Sequence, residues 1–75
     1  MPRLPRLRAA EVLRALRRDG WQYSAQEGSH VQLKHPAKPG KITVPFHARQ
    51  IIGPRLLSRI LRQANLSAEE FRRLL

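Results

Sequence analysis

Apolar residues Ala9, Val12, Leu13 and Leu16 recur at intervals of three and four near the start of the chain, and Gly20 follows them. That spacing lays one apolar stripe along a helix from Ala9 to Asp19 and gives it a glycine stop. The other side of this helix is basic, with Arg8, Arg14, Arg17 and Arg18. The period then shortens to two: W-Q-Y-S-A-Q (21–26), H-V-Q-L-K-H (30–35) and K-I-T-V-P-F (41–46) each alternate, joined by the turn-rich E-G-S and P-A-K-P-G. This pattern predicts three strands in an antiparallel meander. After a linker H-A-R-Q-I-I, Gly53-Pro54 sets a proline at the first position of a second helix, whose Leu57, Ile60, Leu61 and Ala64 share one face and which ends near Asn65. Ser67 and Glu70 form an S-x-x-E capping box ahead of Phe71, Leu74 and Leu75, which marks a short third helix.

The order α-β-β-β-α with a small extra helix predicts a two-layer α+β domain in which the helices cover one face of the sheet and leave the other bare. Residues 1–75 are expected to form a single domain, of which the first eight, with two prolines and three arginines, read as a flexible basic arm. There is no cysteine, so neither a disulfide nor a thiolate metal site contributes, and the core rests on apolar packing. No apolar run is long enough to span a bilayer and the N-terminus lacks the apolar stretch of a secretory signal, so a cytoplasmic location with no membrane partner is expected.

Strand parity sorts the side chains. Val31 and Leu33 point to the helices, so His30, Gln32 and Lys34 lie on the bare face; Ile42, Val44 and Phe46 point inward, so Thr43 and His47 join His30. A four-residue loop from Ala37 to Gly40 would pair Leu33 with Val44 and Val31 with Phe46, leaving His30 opposite His47; a slip of two keeps the faces and makes the two histidines diagonal neighbours. Trp21 and Tyr23 also point inward if the first hairpin has a three-residue loop, Gln26-Glu27-Gly28, with Gly28 left-handed, and Ser24 then sits beside His30. A two-residue loop Glu27-Gly28 would instead turn Trp21 and Tyr23 outward, where they could stack on bases.

Charge adds a partner to this geometry. Fifteen Lys and Arg against five Asp and Glu leave a net charge of +10, which concentrates polyanions around the molecule, and twelve of the fifteen are Arg, whose planar fork suits phosphate. Nucleic acid is the first candidate. Cleaving RNA without a metal takes a base for the 2′-hydroxyl proton and an acid for the leaving 5′-oxygen, and imidazole, with a pKa of about 6.5, serves for both. His30 and His47 are expected to divide these two tasks, one assisting the other, with Ser24 as a positioning residue. Ser29, Gln32, Lys34, Lys41 and Arg49 would hold the RNA, and Arg55, Arg59 and Arg62, at i, i+4, i+7, form a stripe that is either a solvated helix face or a phosphate track. A lone surface histidine is usually inert, so the weight falls on the pair and its basic surroundings; His35 reads as a packing residue. His30 and His47 with Glu27 would make a poor zinc site, so no metal is expected, and no motif calls for a cofactor.

These residues resemble a known family. L-R-A-A-E-V-L-R-A-L-R-R-D-G-W, the G-S-H of residues 28–30, V-P-F-H of 44–47 and I-G-P-R-L-L-S-R-I-L-R-Q-A-N-L-S-A-E-E-F of 52–71 stand in the order found in HicA-type mRNA interferase toxins, also called YcfA-like, over nearly the whole length. The resemblance implies a double-stranded-RNA-binding-domain-like fold, His30 as the catalytic residue in messenger RNA cleavage, and a HicB-type antitoxin as partner. Family members commonly carry a basic residue just ahead of G-S-H, where this chain has Gln26-Glu27. An antitoxin acidic at the contact and covering the His30 face is expected on charge grounds. Two rival readings are a non-catalytic module binding double-stranded RNA, and an adaptor whose basic surface docks an acidic protein.

Overall fold

The computed structural model describes residues 6–46 and 50–75. In chain order they form β1 (Leu7–Arg8), α1 (Ala9–Arg18), β2 (Gln22–Glu27), β3 (His30–Lys34), β4 (Lys41–Pro45), β5 (Ile51–Ile52), α2 (Pro54–Ala64) and α3 (Ala68–Leu74). β2-β3-β4 make the antiparallel sheet with β3 in the middle, which is the α-β-β-β-α arrangement expected from the periodicity. The helix boundaries follow their end signals. Gly20 takes φ 104° just past α1, Asn65 caps α2 in the left-handed region at φ 54°, and Ser67 and Glu70 exchange both bonds of the capping box at 3.0 and 2.9 Å.

One element lies outside the predicted set. Leu7 and Arg8, read as the end of a basic arm, pair antiparallel with Ile52 and Ile51, which were read as linker. Two-residue strands are too short to show a period, so nothing in the alternation betrays them. The ribbon ties the start of α1 to the start of α2, and Ile52 is fully buried beneath it.

The inner layer is apolar throughout: Val12 and Leu16 of α1, Val31, Leu33, Ile42 and Val44 of the sheet, Leu57, Ile60 and Leu61 of α2, and Phe71 of α3 are all buried, and no polar residue is buried with them among the described residues. α2 and α1 pack chiefly on β4, so the layer of helices is displaced toward one edge and β2 overhangs it at the other. Arg18 fastens α3 to this layer by donating to the carbonyls of Leu74 and Leu75 at 2.7 and 2.9 Å.

Both hairpin registers differ from expectation, for identifiable reasons. In the β3–β4 hairpin Leu33 pairs with Ile42, Val31 with Val44, Lys34 with Lys41 and His30 with Pro45, a slip of two. The loop spans residues 35–40 because His35 leaves the ladder. Its Nδ1 accepts the N–H groups of Ala37 and Lys38 at 2.9 and 3.1 Å, which puts the ring proton on Nε2, and Nε2 donates to the Asp19 carbonyl at 2.7 Å. The ring also meets Trp21 edge-on at 5.2 Å between centroids. His35 is thus the packing residue it was read as, and it decides where the turn begins. The slip carries Phe46 past the end of β4, where it is 37% exposed instead of buried.

In the first hairpin Glu27 pairs directly with His30 across a two-residue turn, Gly28-Ser29, with Gly28 at φ 57°. A positive φ at the first central position alone belongs to the II′ type that favours Gly there. Inward parity for Trp21 still needs one extra residue, and the chain puts it in the strand: a bulge between Tyr23 and Ala25 leaves Ser24 unpaired. Trp21 is buried as expected, whereas Tyr23, on the overhanging strand, is 53% exposed.

Candidate functional site

The bare face of the sheet is organised in rows by the ladder. Glu27, His30 and Pro45 form the first, Ala25, Gln32 and Thr43 the second, Gln22, Lys34 and Lys41 the third. His30 is exposed at the head of β3, raised by the Gly28-Ser29 turn, and the Phe46 N–H donates to the Ser29 carbonyl at 2.5 Å to hold that turn against the end of β4. Along β3, His30 and Lys34 are four residues apart, or about 13 Å at strand rise, and lie on one side.

Lys34 and Lys41 stand directly opposite each other. Like charges in that position repel and weaken a hairpin, so packing does not explain the pair. Neither lysine has a carboxylate within ion-pair reach among the described residues. Two ammonium groups side by side with no counter-charge among the described residues concentrate positive charge on this face, about 13 Å along the strand from His30.

The sequence-predicted residues divide into three groups. His30, Gln32, Lys34 and Lys41 are brought together on the bare face, and Ser29 stands in the turn next to His30. Ser24 is not beside His30, because its bulge lies three positions before Glu27, the residue that does pair with His30. Arg55, Arg59 and Arg62 are also elsewhere: the opposite side of α2 carries Leu57, Ile60, Leu61 and Ala64 into the core, so the arginines line an open groove of about 380 Å³ on the side away from the sheet. His47 and Arg49 lie outside the described residues; the residue opposite His30 is Pro45, so the expected register that set His47 in that place is not the one formed.

Glu27 is the residue that sequence reasoning missed. The sequence presents it as a loop residue, a poor metal ligand and an acid where family members carry a base, yet the ladder makes it the cross-strand neighbour of His30. The signal was Gly28-Ser29 itself, a dipeptide suited to a two-residue hairpin turn, which forces Glu27 and His30 into register.

Asp19 organises the opposite end of the sheet. Its carboxylate accepts from Lys38 Nζ at 2.7 Å and Trp21 Nε1 at 3.2 Å, while Lys38 also donates to the last carbonyl of α2, that of Ala64, at 3.0 Å. The clasp joins the end of α1, the β3–β4 loop and the end of α2, and so fixes the register that sets the rows on the bare face.

Comparison with known proteins agrees with this arrangement. No curated protein matches the chain. A family model described as the HicA toxin of bacterial toxin-antitoxin systems matches residues 9–66, from the first residue of α1 to just past the cap of α2, and takes in every row of the bare face. The chain therefore belongs to the HicA toxin family of bacterial toxin-antitoxin systems.

Proposed function

We propose that this toxin is an endoribonuclease that cuts messenger RNA without a metal and is neutralised in the cytoplasm by a HicB-type antitoxin. The observation that carries the reading is the bare sheet face, where an exposed imidazole and an unneutralised lysine pair share one side of the β3–β4 hairpin. In the reaction the 2′-hydroxyl gives up its proton as its oxygen attacks phosphorus, and the 5′-oxygen leaves as it gains one; His30 takes one of these two proton transfers and His47 assists. Lys34 and Lys41 hold a phosphate along the strand, with Ser29 and Gln32 offering polar contacts between. Glu27, across from His30, is placed to orient the ring.

Purified protein incubated with RNA and EDTA is expected to cleave it, and His30→Ala to stop cleavage while RNA is still bound. Full cleavage by the His30→Ala protein sinks the reading. The arginine groove on the far side of α2 favours a second reading, a double-stranded-RNA-binding module without activity. That module would bind duplex RNA with a steep salt dependence and give no scission at any pH.

A further inference from the structure

The underside of the β2–β3 hairpin has no part in the reading above. Because β2 overhangs the helix layer, Tyr23 is 53% exposed on the helix-facing side and Phe46 is 37% exposed beside it. The two rings line one cleft of about 170 Å³, floored by Val31 and Leu33 and walled by Leu13 and Arg17 of α1. They are half of the chain's four aromatic residues, and the other two, Trp21 and Phe71, are 1% and 0% exposed. The cleft runs on over Leu13, Arg17 and Phe46 into an adjoining depression of about 280 Å³ bordered by Arg14. Neither Arg14 nor Arg17 has an ion-pair partner among the described residues.

Exposed rings with unneutralised guanidinium groups around them are what a single-stranded nucleic acid needs: a face on which a base stacks and cations for the phosphates beside it. The part between the two rings, about 170 Å³, is under the ~300 Å³ at which drug-sized pockets begin and suits one ring system, with the adjoining depression left for the backbone. Its mouth is polar, since the Tyr23 hydroxyl donates to Gln26 Oε1 at 3.3 Å and Gln26 Nε2 donates to the Gly28 carbonyl at 3.0 Å. A base edge can answer these groups and an aliphatic side chain cannot. Position matters too. Phe46 is bonded through its backbone to Ser29, and Val31 in the floor follows His30, so cleft and imidazole lie on two sides of the same few residues.

We propose that this cleft is a base-reading slot, in which Tyr23 and Phe46 hold one unpaired base of a single-stranded RNA while Arg14 and Arg17 hold the adjoining phosphates. The slot rests on the ribonuclease reading and deepens it. A base seated there sets which phosphate lies over His30, and so sets where the chain is cut.

The test is binding, kept apart from cleavage by using fluorescein-labelled 2′-O-methyl ten-mers of adenine, uracil or cytosine and a fully abasic ten-mer, read by fluorescence anisotropy at fixed salt. At least one base-bearing ten-mer is expected to bind about 5- to 150-fold more tightly than the abasic one, the range for stacking one base. Tyr23→Leu and Phe46→Leu, which keep apolar bulk, should lose most of that ratio with abasic binding unchanged, and His30→Ala should keep it. Arg14→Gln and Arg17→Gln should weaken all ten-mers alike and each lower the salt slope by about one. A ratio near one in the wild type, or a ratio unmoved in both aromatic variants, overturns the slot while leaving RNA binding intact. If the aromatic variants keep the ratio but lose binding to a HicB-type antitoxin, the cleft docks protein and the slot is likewise overturned. Failure of every ten-mer to bind sinks the ribonuclease reading itself.

Discussion

Gly20→Ala probes the contact that sets the sheet register. Gly20 sits at φ 104°, and a Cβ added to it would lie 2.6 Å from His35 Nε2 and 3.3 Å from both adjacent ring carbons. The ring cannot swing away freely, because its two nitrogens are engaged by Asp19, Ala37 and Lys38 and its edge rests on Trp21. Holding an L-residue at that φ costs about 1–3 kcal/mol. Breaking the His35–Asp19 bond and leaving a part-buried carbonyl unanswered adds about 1–3 kcal/mol. The lower entropy of the unfolded alanine chain offsets only ~0.4–1 kcal/mol of this. The expected loss is about 1–5 kcal/mol, against a total of roughly 4–11 kcal/mol for a domain of this length. Urea unfolding followed by the fluorescence of Trp21, the lone tryptophan, measures it. Gly40→Ala is the control: Gly40 has φ 78° but no atom within 4 Å of its added Cβ, so only the backbone part, about 1–2 kcal/mol, is expected. In a His35→Ala background the cost of Gly20→Ala should fall to that of Gly40→Ala. Equal losses at Gly20 and Gly40, or a Gly20→Ala cost unchanged by removing the His35 ring, would refute the reasoning.

Reversing one charge of the opposed lysines should separate stability from binding. Lys41→Glu is expected to stabilise the hairpin by about 0.2–1 kcal/mol in urea unfolding and to weaken RNA binding at low salt, and a destabilised variant would contradict the repulsion. Glu70 is held below the ordinary carboxyl value of 4.5, first by the Ser67 backbone N–H and then by the Ser67 hydroxyl. Its folded pKa is depressed, so its contribution is present above 4.5 and is lost as pH falls through the lower folded value; Glu70→Gln should flatten that acid limb in thermal melts taken between pH 6 and 2. In a complex with its antitoxin, amides of residues 30–34 should exchange more slowly than in the free toxin, and unchanged exchange there would place the antitoxin on another face.

Periodicity made the three main strands, α1 and α2 legible, and cap chemistry made α3 legible, because each of these elements is long enough for burial to print its period or carries its own end signal. Parity was equally readable: Val31, Leu33, Ile42, Val44 and Trp21 face the core as read. Register was not. It depends on where a turn starts, and here two single residues decide that. His35 abandons the ladder for Asp19, a residue sixteen positions earlier, and Ser24 bulges out of β2. Neither act leaves a mark in local alternation. Assignment to the bare face survives for His30, Gln32 and Lys34 because the β3–β4 slip is of two residues, whereas Ser24 and the neighbour of His30 change because they depend on the first hairpin. The arginine stripe on α2 was visible as a stripe, but its separation from the sheet face follows only from which side of the helix is buried.

The β1–β5 ribbon and the helices beneath it bear on how the toxin comes into being during translation. Leu7 waits for Ile52, and the inner face of the sheet waits for Leu57, Ile60 and Phe71, all of which are synthesised after His30 has left the peptidyl-transferase centre. A nascent chain that has exposed the histidine still lacks most of the apolar surface that would order it. The growing polypeptide therefore cannot hold the bare sheet face in order until the later helices have emerged to close it.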